Sequence, residues 1–190
     1  MSNLEKIPVT ILTGFLGAGK TTLIRNLIIK NKSKRLAVII NEFGDLGVDG
    51  EMVKQCSDVT CPEENILELA NGCICCTVAD DFVPTMQTLL DGKYLPEHIL
   101  IETSGLALPK PLLKAFEWPE IRSKLTVDSV LAVVDAEAVV NGIFAPQMSI
   151  EIENRQKETY VEHETPLSEV FEDQINCSDI VLLTKPDLVE

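Results

Sequence analysis

Nowhere in the 190 residues does an apolar run approach the roughly 18 residues that a membrane span needs. The opening M-S-N-L-E-K-I-P also lacks the long apolar stretch of a secretory signal. Positive charge is scarce: 16 Lys and Arg stand against 30 Asp and Glu, a formal net charge of −14. That field repels a polyanion such as DNA, so nucleic acid is not an expected partner. Internal repeats, low-complexity tracts and flexible linkers are missing too. The expectation is a cytoplasmic protein of one compact domain, with neither a membrane nor a nucleic acid as partner.

Within an ordinary balance of 45% hydrophobic and 24% charged residues, short apolar runs alternate with helical patterns. That alternation is the signature of a mostly parallel sheet flanked by helices. Val9 to Thr13, Leu36 to Asn41, His98 to Glu102, Val130 to Asp135 and Asp179 to Thr184 read as strands. After the first, Leu23/Leu27 and Ile24/Ile28 fall at helical spacing. A second helix is expected with Phe82, Val83, Met86, Leu89 and Leu90 on its apolar face, Pro84 in its first turn, and Asp80 or Asp81 as its cap. Residues 151 to 173 hold eight acidic and two basic residues, read as a solvated loop plus a surface helix within an acidic insertion at about 145–170.

Gly14 to Thr21 reads G-F-L-G-A-G-K-T, a complete G-x-x-x-x-G-K-S/T phosphate-binding loop. Triphosphate binding needs backbone N–H groups converging on oxygens, which a glycine-rich turn at a helix N-terminus supplies. Gly14, Phe15, Leu16, Gly17, Ala18, Gly19, Lys20, Thr21 and Thr22 are therefore the candidate cradle. Lys20 offers a point charge to the β- and γ-phosphates, and the Thr21 hydroxyl can ligate Mg²⁺. A strand before and a helix after the motif place it in the P-loop NTPase class of α/β folds: three layers, α/β/α, around a mostly parallel sheet. Such a sheet usually continues with another strand and a closing helix, so a chain ending at Glu190 reads as truncated.

Three further runs stand where such a site needs them. Glu102 ends an apolar strand and is followed by T-S-G; its carboxylate can hold Mg²⁺, directly or through water, and the Gly105 amide can sense the γ-phosphate. Thr184-Lys185-Pro186-Asp187 reads T-K-x-D, in which Asp187 can accept from guanine N1–H and the 2-amino group while Lys185 lies over the purine. Glu42 to Asp49 is either a solvated loop or a nucleotide-sensitive one. In the second case Glu42, Asp45 and Asp49 are candidates for positioning water, Mg²⁺ or a second metal. No residue stands out as activator of the attacking water, and intrinsic turnover is expected to be slow.

Of the six cysteines, Cys73, Cys75 and Cys76 crowd into N-G-C-I-C-C. This spacing is tighter than C-x-x-C, and no second pair completes a closed four-ligand zinc site. The expectation is an open, exchangeable site of two or three thiolates plus another donor, with redox sensing and plain apolar packing of buried cysteines as the alternatives. Cys56 and Cys61 are weaker candidates, and Cys177 weaker still; His98 and His163 read as structural and surface residues. Thiolates accept Zn²⁺ and Cu(I) readily, and Co²⁺ lies below Zn²⁺ in general affinity, so ligand type alone leaves the metal open.

G-F-L-G-A-G-K-T-T, N-E-F-G, N-G-C-I-C-C, I-E-T-S-G and T-K-P-D, in this order, resemble the CobW-type GTPases, a family of nucleotide-dependent metallochaperones. Longer runs such as E-L-A-N-G-C-I-C-C-T-V-A-D-D-F and H-E-T-P-L-S-E-V-F-E-D-Q are similar to its CobW branch, associated with cobalt supply for cobalamin biosynthesis. The resemblance implies a cytoplasmic GTPase that binds GTP with Mg²⁺ and assembles a Co²⁺ site around Cys73, Cys75 and Cys76. Hydrolysis to GDP would release the ion towards a cobaltochelatase or another metal-accepting protein. Zn²⁺ supply, metalloenzyme activation or a non-catalytic nucleotide-gated module are the alternatives. Two departures stand out: Thr184 replaces the family's usual Asn, and the family's C-terminal domain has no counterpart in residues 1–190.

Overall fold

Strands that are buried on both faces cannot alternate polar and apolar residues, and the runs V-T-I-L-T, L-A-V-I-I and I-L-I-E are buried throughout. The structure, a computed structural model, describes residues 6–31, 33–40, 53–57, 60–68, 82–142 and 167–189. Its elements in chain order are β1 (Ile7–Thr13), α1 (Lys20–Lys30), β2 (Leu36–Ile40), a 3₁₀ turn (Glu63–Asn65), β3 (Ile66–Glu68), α2 (Val83–Asp91) and β4 (His98–Glu102). There follow α3 (Pro109–Ala115), α4 (Pro119–Arg122), β5 (Leu125–Asp135), α5 (Ala136–Val140), α6 (Leu167–Asn176), β6 (Ile180–Thr184) and a 3₁₀ turn (Pro186–Leu188). The strands form one sheet ordered β3-β2-β4-β1-β5-β6, and every pairing in it is parallel.

The two-residue period of the strands sorts their side chains into two cores. Val9, Ile11, Ala37, Ile39, Ile99 and Ile101 face one way, against Phe82, Met86 and Leu89 around α2 and Leu112, Phe116 and Ile121 around α3 and α4. Leu12, Val38, Ile40 and Leu100 face the other way, against Ile24 and Ile28 of α1. Of the two candidate pairs on α1, Ile24/Ile28 is the buried one, and Leu27 is exposed. Each fully buried isoleucine contributes roughly 1.5–3 kcal/mol of apolar transfer. The α/β/α layering follows from this partition. Phe82 and Phe116 meet edge to face, centroids 5.4 Å apart, and Pro84 lies in the first turn of α2, as its fixed φ favours. The Asp80/Asp81 cap falls outside the described residues.

Two strands are longer than the apolar runs alone suggest. β1 begins at Ile7 with Pro8 inside it, tolerable because Pro8 is near the strand start, just before a register shift against β5 between Val9 and Thr10. β5 begins at Leu125; its first half alternates with Thr126, Asp128 and Ser129 because this part of the strand is half-solvated. β3, three residues long, extends the sheet beyond β2. At the opposite edge β6 pairs with β5 and leaves Ile180, Val181 and Leu183 exposed. No helix among the described residues is long and apolar enough to cross a membrane.

A polar chain stitches the centre of the sheet at its amino end. The Thr10 hydroxyl lies 2.9 Å from His98 Nε2 and 3.1 Å from Ser129 Oγ, joining β1, β4 and β5. Burial pushes the His98 pKa below its ordinary value, the Lys34 charge adds to that, and Asp128 opposes it. A depressed folded-state pKa means that the unfolded chain takes up the proton first. His98 therefore costs stability as pH falls below about 6.5. Urea titrations from pH 7.5 to 5 should show a loss of stability through this window that is flattened in a His98→Gln variant; an unchanged slope would remove His98 as its source.

Candidate functional site

In a parallel sheet all strands deliver their carboxyl ends to one edge, and the loops that follow them meet there. The loop after β1 turns through three glycines with positive φ, 136° at Gly14, 77° at Gly17 and 97° at Gly19. A Cβ on Gly14 would stand 2.1 Å from the Val133 carbonyl oxygen of β5, so only glycine fits. Gly19 then caps α1 in the left-handed conformation, with no side-chain cap and no acidic residue in the first turn. The positive end of the helix dipole therefore faces the loop with no side-chain cap or first-turn carboxylate to neutralise it, which suits an anion. Lys20, 6% exposed, donates from Nζ to the Phe15 carbonyl at 3.2 Å, which holds its ammonium inside the loop.

The Thr21 hydroxyl donates to Glu102 Oε1 at 2.8 Å, a contact between residues 81 apart in sequence. Glu102 is 5% exposed at the end of β4. Mg²⁺ requires octahedral oxygens at 2.0–2.1 Å, which sets adjacent ligand atoms about 2.9 Å apart. The Thr21 and Glu102 oxygens already stand at such a separation, and hard oxygen donors suit this ion. The residues present therefore fit Mg²⁺.

The T-S-G segment closes against the phosphate loop. Thr103 donates to the Leu12 carbonyl from its amide at 2.9 Å and from its hydroxyl at 3.2 Å. A Cβ on Gly105 would lie 2.5 Å from the Leu16 amide nitrogen, so the two backbones run in direct contact. Leu16 itself is exposed, whereas Phe15 and Ala18 are buried.

At the end of β6, the Thr184 hydroxyl stands 2.8 Å from the Ala18 carbonyl and 3.2 Å from that of Val134. Thr184 therefore ties the phosphate loop to β5 and β6. Lys185 follows in a left-handed conformation, φ 52°, and its Nζ donates to Asp135 Oδ2 at 2.6 Å. Asp135 Oδ1 also accepts from the Glu137 and Ala138 amides, capping α5. Burial acts to raise the Asp135 pKa. The Lys185 bond and charge and the two amides outweigh it, holding the carboxyl below its usual range. Asp187 lies exposed on the closing 3₁₀ turn.

Gly14, Phe15, Lys20, Thr21, Glu102, Gly105 and Thr184 are thus brought together at one edge. Glu42, Asp45, Asp49, Cys73, Cys75, Cys76 and His163 lie outside the described residues. Cys61 is fully buried in the apolar cluster with Ile24, Ile28 and Val53, and Cys56 packs against that cluster. Among the described residues there is no group of three or more His, Cys, Asp and Glu arranged to hold a metal. Two participants had no role from motif reading. Asp135, standing before A-E-A, carried the signal of a helix cap; Gln174, 69 residues from the carbonyl it binds, carried none.

A Thr184→Val variant keeps the side-chain shape and removes the tether. Loss of about 1 kcal/mol of loop anchoring should weaken GDP and GTP alike by about fivefold. Equilibrium titration with a fluorescent nucleotide checks this, and undiminished affinity for both would deny the tether any part in binding.

Comparison with known proteins agrees with this fold. Residues 8–190 match the family model of the CobW/HypB/UreG nucleotide-binding domain. The chain is 55% identical over 189 residues to the zinc chaperone CobW of a Sinorhizobium species, covering 100% of this chain and 53% of that protein. It is 52% identical over 194 residues to the zinc chaperone CobW of Pseudomonas aeruginosa, covering 100% and 52%. The chain thus spans about half the length of the curated relatives it matches. Among solved structures, a Zn(II)-bound triple mutant of the YjiA GTPase superposes with a TM-score of 0.59 at 26% identity, covering 96% of this chain and 50% of that one. Sequence and fold together make this chain a member of the CobW/HypB/UreG nucleotide-binding family.

Proposed function

We propose that this domain is a slow GTPase that gates a metal chaperone. Mg²⁺·GTP occupies the phosphate loop, a metal ion is captured at Cys73, Cys75 and Cys76, and hydrolysis to GDP releases the ion to a metal-accepting protein. The supporting observation is the sheet register. Ile40 pairs with Glu102 on one side and with Glu68 on the other. β2 at Ile40 and β3 at Glu68 therefore end level with the Mg²⁺ candidate on β4, and in sequence N-E-F-G follows the first end and N-G-C-I-C-C the second. At about 4.8 Å per strand, the backbone of Glu68 is about 10 Å from that of Glu102.

In this reading Mg²⁺ supplies charge neutralisation on the phosphate oxygens. Lys20 and the loop amides stabilise the charge that builds there, and Thr21 and Glu102 hold the ion. Thr22 continues the anion-facing first turn, while Lys185 and Asp187 take the guanine. Glu42 and Asp49 are the candidates for ordering water or a further ligand on Mg²⁺. Zn²⁺ is the favoured cargo, because two relatives above 50% identity are named zinc chaperones and thiolates bind it readily. Co²⁺ delivered to a cobaltochelatase is the second reading, favoured by the runs around N-G-C-I-C-C and H-E-T-P-L-S-E-V. We place the protein in the cytoplasm on the same reading.

The test is a competition titration of Zn²⁺ and Co²⁺ against a chelating dye, with GDP or with Mg²⁺ and a non-hydrolysable GTP analogue. The triphosphate should tighten binding of the preferred ion at least about tenfold, a shift of roughly 1.4 kcal/mol. Replacing Cys73, Cys75 and Cys76 by Ser should abolish the difference. Metal affinity indifferent to nucleotide would reject the gate. Phosphate release should drop to background in Lys20→Ala, and equal rates would remove the enzymatic part.

A further inference from the structure

Helix α6 contacts both phosphate-facing loops. Its Gln174 side chain is 1% exposed, and its amide donates to the Gly105 carbonyl at 3.1 Å and to the Ala107 carbonyl at 3.2 Å. A side-chain NH₂ has two protons, so both donors are committed to one short stretch of backbone. Three residues earlier on the same helix face, Phe171 stacks on Phe15 of the phosphate loop, centroids 5.9 Å apart and planes 18° from parallel. One further contact fixes the helix itself: Lys110 of α3 pairs with Asp173. A single helix therefore grips both loops, the phosphate loop through a ring and the T-S-G segment through an amide.

The Gly105 peptide has little room to drift. Its Cα side is pressed on the Leu16 backbone, and its carbonyl is fixed by Gln174. The phosphate loop alone cradles the phosphates that GDP and GTP share, whereas Gly105 is the group read as meeting the third phosphate. Withdrawing the Gln174 donors would leave two carbonyls buried without those bonds and would let the peptide turn. Such a change bears on the triphosphate and spares the diphosphate.

We infer that Gln174 is a positioning residue that sets how well this site distinguishes GTP from GDP, acting through the Gly105 and Ala107 carbonyls. The inference rests on the nucleotide reading above and adds to it a residue distant from the phosphate motif. It also makes α6 the element that must shift, or lose two buried hydrogen bonds, whenever the T-S-G segment moves.

The experiment compares affinities of the 190-residue protein for GDP and for a non-hydrolysable GTP analogue in Mg²⁺ buffer. Gln174→Met preserves length and removes both donors. It should weaken the analogue about tenfold while GDP changes less than about twofold. Val170→Ala, which trims a buried residue of α6 whose side chain has no hydrogen-bond donor for either loop carbonyl, should lower Tm and leave the ratio unchanged. If Gln174→Met does not fold, Gln174→Asn, whose donors are withdrawn by one methylene, should shift the ratio in the same direction by a smaller factor. Equal losses for both nucleotides, or a Tm change alone as in Val170→Ala, would overturn the inference and leave the nucleotide reading intact. A parent protein that binds neither nucleotide would overturn both.

Discussion

Two glycines leave the phosphate loop no slack. Gly14 is pressed against the Val133 carbonyl on one flank, and Gly105 against the Leu16 amide on the other. Because neither contact admits even a methyl group, the loop is fixed between β5 and the segment following β4. What enters α1 behind it inherits that position: Lys20 is folded inward and Thr21 reaches Glu102. The buried ammonium, the paired oxygens and the uncapped amides of α1 then follow as consequences of backbone approach. Preorganisation of this kind suits phosphate chemistry, in which the protein contributes positioning and charge more than bond-making groups.

The all-parallel register extends that constraint across the sheet. β4, β2 and β3 end level with one another, so segments leaving them start from one line of backbone. On the opposite flank β5 and β6 bring Asp135, Thr184 and Lys185 together in a connected set of polar contacts that runs from the helix cap of α5 to the Ala18 carbonyl. The site is therefore held from both sides by strand ends and by α6, which contacts both loops.

Much of this was legible in the residues because it is local. The phosphate-loop motif fixes its own turn, and the short apolar runs L-A-V-I-I and I-L-I read as buried parallel strands from their length and β-branched content. Other parts were not legible because they depend on partners far along the chain. Ile66–Glu68 is too short to show a period, and it is a strand only because β2 offers an edge. The first half of β5 looks polar because it is half-solvated, and Pro8 hides the start of β1. The motif T-K-P-D suggests base recognition, yet the Thr184 hydroxyl is turned to the phosphate loop. Gln174 carries no local signature at all; its meaning comes from two carbonyls in another segment. The cysteine run is the clearest chemical signal in the chain, and it lies outside the described residues.

If nucleotide and metal share one conformational equilibrium, their binding energies must be linked in both directions by the same factor. The most direct measurement is the affinity for a non-hydrolysable GTP analogue at zero and at saturating Zn²⁺, alongside the Zn²⁺ affinity at zero and at saturating analogue. The account predicts equal factors from the two experiments, with GDP giving a factor near one. A triphosphate affinity that ignores Zn²⁺ would contradict the coupling on which the proposed cycle stands.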